Sequence, residues 1–158
     1  MTIRAWRLVQ ARWVDAAFSG EGAQKYGGRW NHRGIPMVYT AGSVSLAALE
    51  LLANLHAPEQ LRNFISIPVT FHDSLILQLP VEDLPSDWNA PVTVAGTRDI
   101  GSSWAANNLS AVLAVPSAVI PLEANYLLNP LHPDFQKLQI GVPEAFQFDP
   151  RLFGQGEA

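Results

Sequence analysis

Arg29 stands in the segment GGRWNHRG (27–34), where three glycines surround two arginines, a tryptophan, an asparagine and a histidine. Two glycines immediately before it leave the backbone free to approach a ligand, and a planar guanidinium suits bidentate binding of phosphate. The same composition fits a tight turn with solvated flanks, and the segment alone leaves both readings open. Glu50 stands in LAALELLANL, where Leu46, Leu49, Leu51, Leu52 and Leu55 cover much of a helix circumference. A carboxylate in such surroundings is costly unless it is paired or hydrogen-bonded. It either shares a narrow solvent stripe with Asn54 or lines a pocket, aimed at a cationic or hydroxylated ligand. Ser117 follows Pro116 between two apolar runs, and a hydroxyl buried there must find a partner, on the backbone or elsewhere. Tyr39, within MVYTA, reads as a core or half-buried strand residue. Arg7 reads as a strand-edge residue that could lend a second positive charge.

Other chemistries lack their signatures. There is no G-x-S-x-G, H-E-x-x-H or G-x-x-x-x-G-K,. Gly20, Gly22 and Gly27 only superficially suggest a dinucleotide fingerprint, because Lys25 stands in place of the third glycine and no helix pattern follows,. The four histidines never fall at ligand spacing, so no metal is expected. The absence of cysteine excludes disulfides and thiolate catalysis,.

The elements that must position these residues follow from periodicity. IRAWRLV (3–9) alternates as a strand, with Arg4 and Trp6 on one face and Arg7 on the other. Residues 15–36 read as a long loop, and its aromatic residues Phe18, Tyr26 and Trp30 argue against disorder. MVYTA (37–41) is a short strand, and a helix over 43–55 follows with Ser43 or Ser45 as its cap. NFISIPVTF (63–71) and SLILQL (74–79) are strands joined by a turn at His72-Asp73. A helix is expected within 92–108, a buried strand over 111–120 interrupted at Pro116-Ser117, and a short strand at 124–129. Pro133 starts a helix of one or two turns at 132–138. The mixture, without regular βαβ alternation, predicts an α+β fold in one compact domain over residues 1–153, with 154–158 as a frayed tail.

Charged residues make up 15% of the 158 residues, against about 25% typically. So little charge predicts a deep pocket or a face covered by a partner. The formal net charge of −4 argues against nucleic acid as a direct partner. The N-terminal segment lacks the apolar run of a signal peptide, and no stretch reaches the ~18 apolar residues of a membrane span. A soluble cytoplasmic domain, with no membrane contact, is expected.

Taken together, WRLV, FSGEGAQKYGGRWN, the run GGRWNHRGIPMVYTAGSVSLAALELLANL, SSWAANNLSAVLAVPSAVI and NYLLNPLHPDF resemble the RES domain family in the family's order over nearly the whole chain. Arg29, Glu50 and Ser117 match its arginine, glutamate and serine, and Tyr39 matches the tyrosine of its "vYTA" strand. The resemblance implies a toxin of a toxin–antitoxin pair with an antitoxin carrying an Xre-like DNA-binding region, and a fold similar to ADP-ribosyltransferase toxins with a cleft for NAD. It implies NAD⁺ as substrate, without a metal, consumed by hydrolysis or phosphorolysis. Protein ADP-ribosylation in the same cleft and a non-catalytic NAD-binding regulatory module are the alternatives. In the implied site Arg29 grips the pyrophosphate or neighbouring ribose, and Glu50 binds ribose hydroxyls and stabilises an oxocarbenium-like transition state. Tyr39 stacks on nicotinamide or shapes its pocket, and Ser117 orients nicotinamide or ribose. Arg33, outside the matched motif, is a solvated flank.

Overall fold

The structure, a computed structural model, describes residues 1–54 and 61–153. The expected end of the second helix at Leu55 and the expected tail at 154–158 lie outside the described residues. The first half of the chain forms β1 (Thr2–Gln10), α1 (Glu21–Tyr26), β2 (Val38–Ala41) and α2 (Val44–Asn54). The remainder forms β3 (Phe64–His72), β4 (Ile76–Gln78), α3 (Ala95–Ala106), β5 (Val112–Pro116), β6 (Ala124–Leu128), β7 (Gln139–Ile140) and β8 (Glu144–Phe146). This is the α+β fold expected.

The strands form one sheet in the order β4-β5-β6-β2-β1-β3-β7, with β8 also paired to β3. Only the β4–β5 pair is parallel; the others are antiparallel. β3 and β4 are joined by the three residues Asp73–Leu75, yet they stand five strand positions apart. In a flat sheet that is about 24 Å, whereas the four steps from His72 to Ile76 reach at most about 14 Å. The sheet therefore curls to bring β3 round towards β4, and Phe71 on β3 packs edge-on against Tyr126 on β6 with ring centroids 5.6 Å apart.

Curling gives the sheet an inside and an outside, and side-chain alternation sorts residues between them. Ala5, Val38, Val69, Phe71, Val112 and Leu128 fill the inside. Their neighbours Leu113 and Leu127 face outward, against Trp104 and Ala105 of α3, with Trp30, Met37, Trp88 and Val115 in the same cluster. Leu8 and Ala41 face outward against Leu46 and Ala47 of α2. Two helices thus cover adjacent parts of the outer face. Among the described residues, no helix is long and apolar enough to cross a membrane.

Several expectations need correction. The segment 15–36 is not one loop: a 3-10 helix spans Ala11–Ala16, and α1 forms between Gly20 and Gly27, both of which take positive φ. The two strands expected on either side of His72-Asp73 do form, joined through Asp73–Leu75, but β4 is shorter than the expected 74–79 and pairs with β5. The strand expected over 111–120 ends at Pro116, and a turn follows. Arg7 is not at an edge, since β1 lies between β2 and β3. Its guanidinium donates to the carbonyls of Ala17 (2.5 Å) and Tyr39 (3.1 Å), and burial lowers its pKa to about 10.

Candidate active site

Helix α2 starts where the Ser43 hydroxyl accepts the Leu46 amide at 3.1 Å, so Ser43 rather than Ser45 is the cap. Glu50 follows Leu46 and Ala47 by four and three residues, which puts it on the face those two bury against the sheet. Leu49, one position away, is 40% exposed. The helix thus turns a carboxylate inward and a leucine outward. Glu50 does not share its side chain with a solvent stripe; only its backbone carbonyl meets Asn54, whose amide donates to it at 2.7 Å.

Two donors receive the carboxylate. Ser117 Oγ donates to Glu50 Oε1 at 2.6 Å, and Asn125 Nδ2 donates to the same oxygen at 2.7 Å. No described residue bonds Oε2. Ser117 is fully buried at the start of the turn that follows β5. Its oxygen also accepts the amides of Val119 (3.1 Å) and Ile120 (3.0 Å), so the hydroxyl that orders the turn spends its proton on Glu50. Asn125 lies near the start of β6, opposite Val115 on one side and Ala41 on the other. Its Oδ1 is buried without a partner among the described residues, a cost of about 1–3 kcal/mol.

Arg29 is carried by the turn 28–31, closed by a bond from the Gly28 amide to the Asn31 carbonyl at 3.1 Å. Trp30 and Asn31 are buried, and their anchors fix the turn. The Tyr39 hydroxyl donates to Asn31 Oδ1 at 2.6 Å and accepts the Trp30 amide at 3.0 Å. From α3, Arg98 Nε donates to the Gly28 carbonyl (3.3 Å) and Ser102 Oγ accepts the His32 amide (2.9 Å). A methyl group on Gly28 would lie 2.6 Å from the Tyr39 oxygen, and one on Gly101 would overlap the Trp30 carbonyl. Both glycines are therefore there for close approach, one under the turn and one behind it.

Thus held, Arg29 is half-buried and donates from Nη1 to the Trp88 carbonyl at 2.9 Å. Burial lowers its pKa, while the charge of Glu50 and the Tyr39 oxygen oppose that shift. Arg29 and Glu50 feel each other's charge, yet each is bound to other groups and they form no ion pair. A cation and a carboxylate held within electrostatic reach of each other but unpaired suit a ligand with both anionic and hydroxylated or cationic parts,. Burial raises the Tyr39 pKa well above the ordinary phenol value, with the Trp30 amide, Arg29 and Arg98 opposing in part. The phenol is a neutral structural prop across the physiological range.

The structure brings Arg29, Tyr39, Glu50 and Ser117 into one region, from four separate segments. It leaves Arg7 out, occupied by two carbonyls. Arg33 is exposed and lines a recess of about 480 Å³ with Tyr26, Gly27, Asn31, His32 and Arg98; that recess includes neither Arg29 nor Glu50. Asn125 and Asn31 were not singled out by sequence. Asn31 sits two residues after Arg29 and could have been suspected as a turn residue, whereas Asn125 carries no local signal. No group of three or more His, Asp or Glu side chains among the described residues is placed to hold a metal ion.

Comparison with known proteins shows the family to which the chain belongs. A family model described as "RES domain" matches residues 4–149. The chain is 42% identical over 148 residues to "Toxin Res" of Yersinia enterocolitica, covering 93% of this chain and 97% of that protein. It is 46% identical to "Toxin Res" of Photorhabdus laumondii, covering 93% and 95%. A "Prs ADP-ribosylating toxin" of a Sphingobium species is 34% identical over 157 residues, covering 96% and 98%. Among solved structures, a chain of the M. tuberculosis MbcT–MbcA toxin–antitoxin complex superposes with a TM-score of 0.76 at 21% identity, covering 97% of this chain and 87% of that one. That likeness shows a shared fold.

Proposed function

We propose that this chain, which belongs to the RES domain family, is the toxin of a type II toxin–antitoxin system and depletes NAD⁺ by cleaving the bond between nicotinamide and ribose. The observation that carries the reading is the state of Glu50: one carboxylate oxygen fixed by Ser117 and Asn125, the other bound by no described residue, with the unpaired Arg29 within electrostatic reach.

NAD⁺ offers a pyrophosphate to a guanidinium and ribose hydroxyls to a carboxylate. Its nicotinamide is already a good leaving group. As the C1′–N bond breaks, nicotinamide departs with the electron pair and positive charge builds on the ribose. Glu50 Oε2 binds a ribose hydroxyl and stabilises that charge electrostatically, with its position set before reaction. Arg29 binds the pyrophosphate or adjacent ribose. Tyr39 shapes the site by holding the turn that carries Arg29, and Ser117 acts on substrate through Glu50. Water or inorganic phosphate then attacks C1′; water gives ADP-ribose and a proton, phosphate gives the 1″-phosphate of ADP-ribose.

Protein ADP-ribosylation is a second reading, favoured by the name of the Sphingobium relative. The two are separated by incubating the protein with adenylate-labelled NAD⁺, with and without phosphate and with cell lysate. Label in small products supports depletion, and label fixed on a protein band supports transfer. A chain that binds NAD⁺ and never releases nicotinamide would be a regulatory module instead. An antitoxin partner is proposed from the family and from the complex in which the fold relative was solved; its Xre-like region and the cytoplasmic location rest on the family alone. Isolating the chain with the product of the adjacent reading frame tests that partner.

A further inference from the structure

Strand β6 reads ANYLL, and within it Asn125 is the residue that meets α2. Its Nδ2 is bonded to Glu50 Oε1 at 2.7 Å, while its Oδ1 is the one buried side-chain polar atom without a partner among the described residues. An asparagine kept for stability alone would have both ends satisfied, and an apolar residue there would leave no orphan. Turning the amide over gives no relief, because Oδ1 would then face the oxygen of a carboxylate. The orientation is therefore dictated by Glu50, and the unpaired acceptor is the cost of serving it. The backbone beneath is fixed as well, since Asn125 is paired to Ala41 on β2 and Val115 on β5.

Ser117 aims its proton at the same oxygen from a different segment. One donor would leave the carboxylate free to swing about that bond. Two donors from separate segments set its plane and decide which oxygen remains for a ligand. We infer that Asn125 is a positioning residue: with Ser117 it orients the Glu50 carboxylate so that Oε2 is the oxygen presented to the substrate ribose. This inference rests on the NAD⁺-cleaving reading and names a residue that acts through Glu50.

The test uses Asn125→Ala and Asn125→Asp, the second keeping the shape while replacing a donor by an acceptor. Nicotinamide release by both variants should fall about tenfold to a hundredfold in kcat, with KM within about threefold of the parent. Combined with Glu50→Gln, Asn125→Ala should cost less than about twofold more, because its effect passes through the group already altered. A kcat within about twofold of the parent in either variant, or an equal cost of Asn125→Ala in both backgrounds, overturns the inference. If Asn125→Ala does not fold, the isosteric Asn125→Asp decides. A parent inert towards NAD⁺ would instead overturn the function proposed above. Crystal structures of parent and Asn125→Asp then decide the inference: a Glu50 carboxylate turned away from Ser117 supports it, and an unmoved one overturns it.

Discussion

Ser117 Oγ lies 2.6 Å from Glu50 Oε1 across 67 residues of sequence. The bond joins the turn after β5 to the buried face of α2, and it uses the only proton the hydroxyl has. The same oxygen accepts two amides of its own turn. Ser117 is thus both the organiser of the turn and a support for the carboxylate.

Ser117→Ala should therefore lose stability and activity together. Two amides and one carboxylate lose a partner in a fully buried place, which predicts about 1–3 kcal/mol of destabilisation. Urea unfolding measures it. An alanine variant as stable as the parent would contradict the assigned bonds.

Gly28→Ala should destabilise by about 1–3 kcal/mol through overpacking, and should also slow the reaction by displacing the turn that carries Arg29. The added methyl meets the Tyr39 oxygen at 2.6 Å and Asn31 Oδ1 at 3.1 Å, and both atoms are tied to each other by a hydrogen bond. Gly22→Ala is the control: its methyl would meet nothing within 4 Å, and inside α1 alanine should stabilise by about 0.5–1 kcal/mol. Thermal unfolding of the two variants should show shifts of opposite sign.

Tyr39→Phe removes a buried hydroxyl and leaves Asn31 Oδ1 and the Trp30 amide unpaired, for a loss of about 1–3 kcal/mol near neutral pH. It should also change the alkaline response. Burial raises the folded pKa of Tyr39 above its ordinary value of 10.0, so beyond that pH the unfolded chain releases a proton the folded chain keeps. Its contribution is whole below that pH and is lost as pH rises, at about 1.4 kcal/mol per unit. Arg7, lowered to about 10, works with the opposite sign there but is common to both proteins. Unfolding free energy from about pH 8 to 11 should fall less steeply in Tyr39→Phe than in the parent. Parallel slopes would contradict the buried, protonated phenol.

Much of the frame was legible because local pattern and tertiary role agree. The leucine- and alanine-rich run capped by Ser43 is α2, and MVYTA is β2. The strand ANYLL and the short helix started by Pro133, a 3-10 helix over Pro133–Lys137, were legible too. Where local pattern and tertiary role part, the sequence misled. Glycines 20 and 27 bracket α1 and made its short helix look like loop. Which strands β3 and β4 would pair with had no local signal, because curling of the sheet is a long-range property. Arg29, Tyr39, Glu50 and Ser117 drew notice by type and family resemblance, but each on its own fitted a structural role as well. For Tyr39 that role is real, since its hydroxyl is spent on the turn. Asn125 had no signal at all: it is one polar residue in an ordinary strand, and only the fold brings it to Glu50.

The inward Glu50 beside the outward Leu49 is the clearest case of site over stability. Burial of a leucine would favour the opposite arrangement, and the helix forgoes it to bring a carboxylate to Ser117 and Asn125.

The most direct measurement is nicotinamide release from NAD⁺ by the purified parent and by Glu50→Gln, which keeps the shape and the acceptor oxygen while removing the charge. With circular dichroism and unfolding showing that the variant is folded, release should fall by about 10²–10³. A folded Glu50→Gln protein that releases nicotinamide at the parental rate would contradict the account.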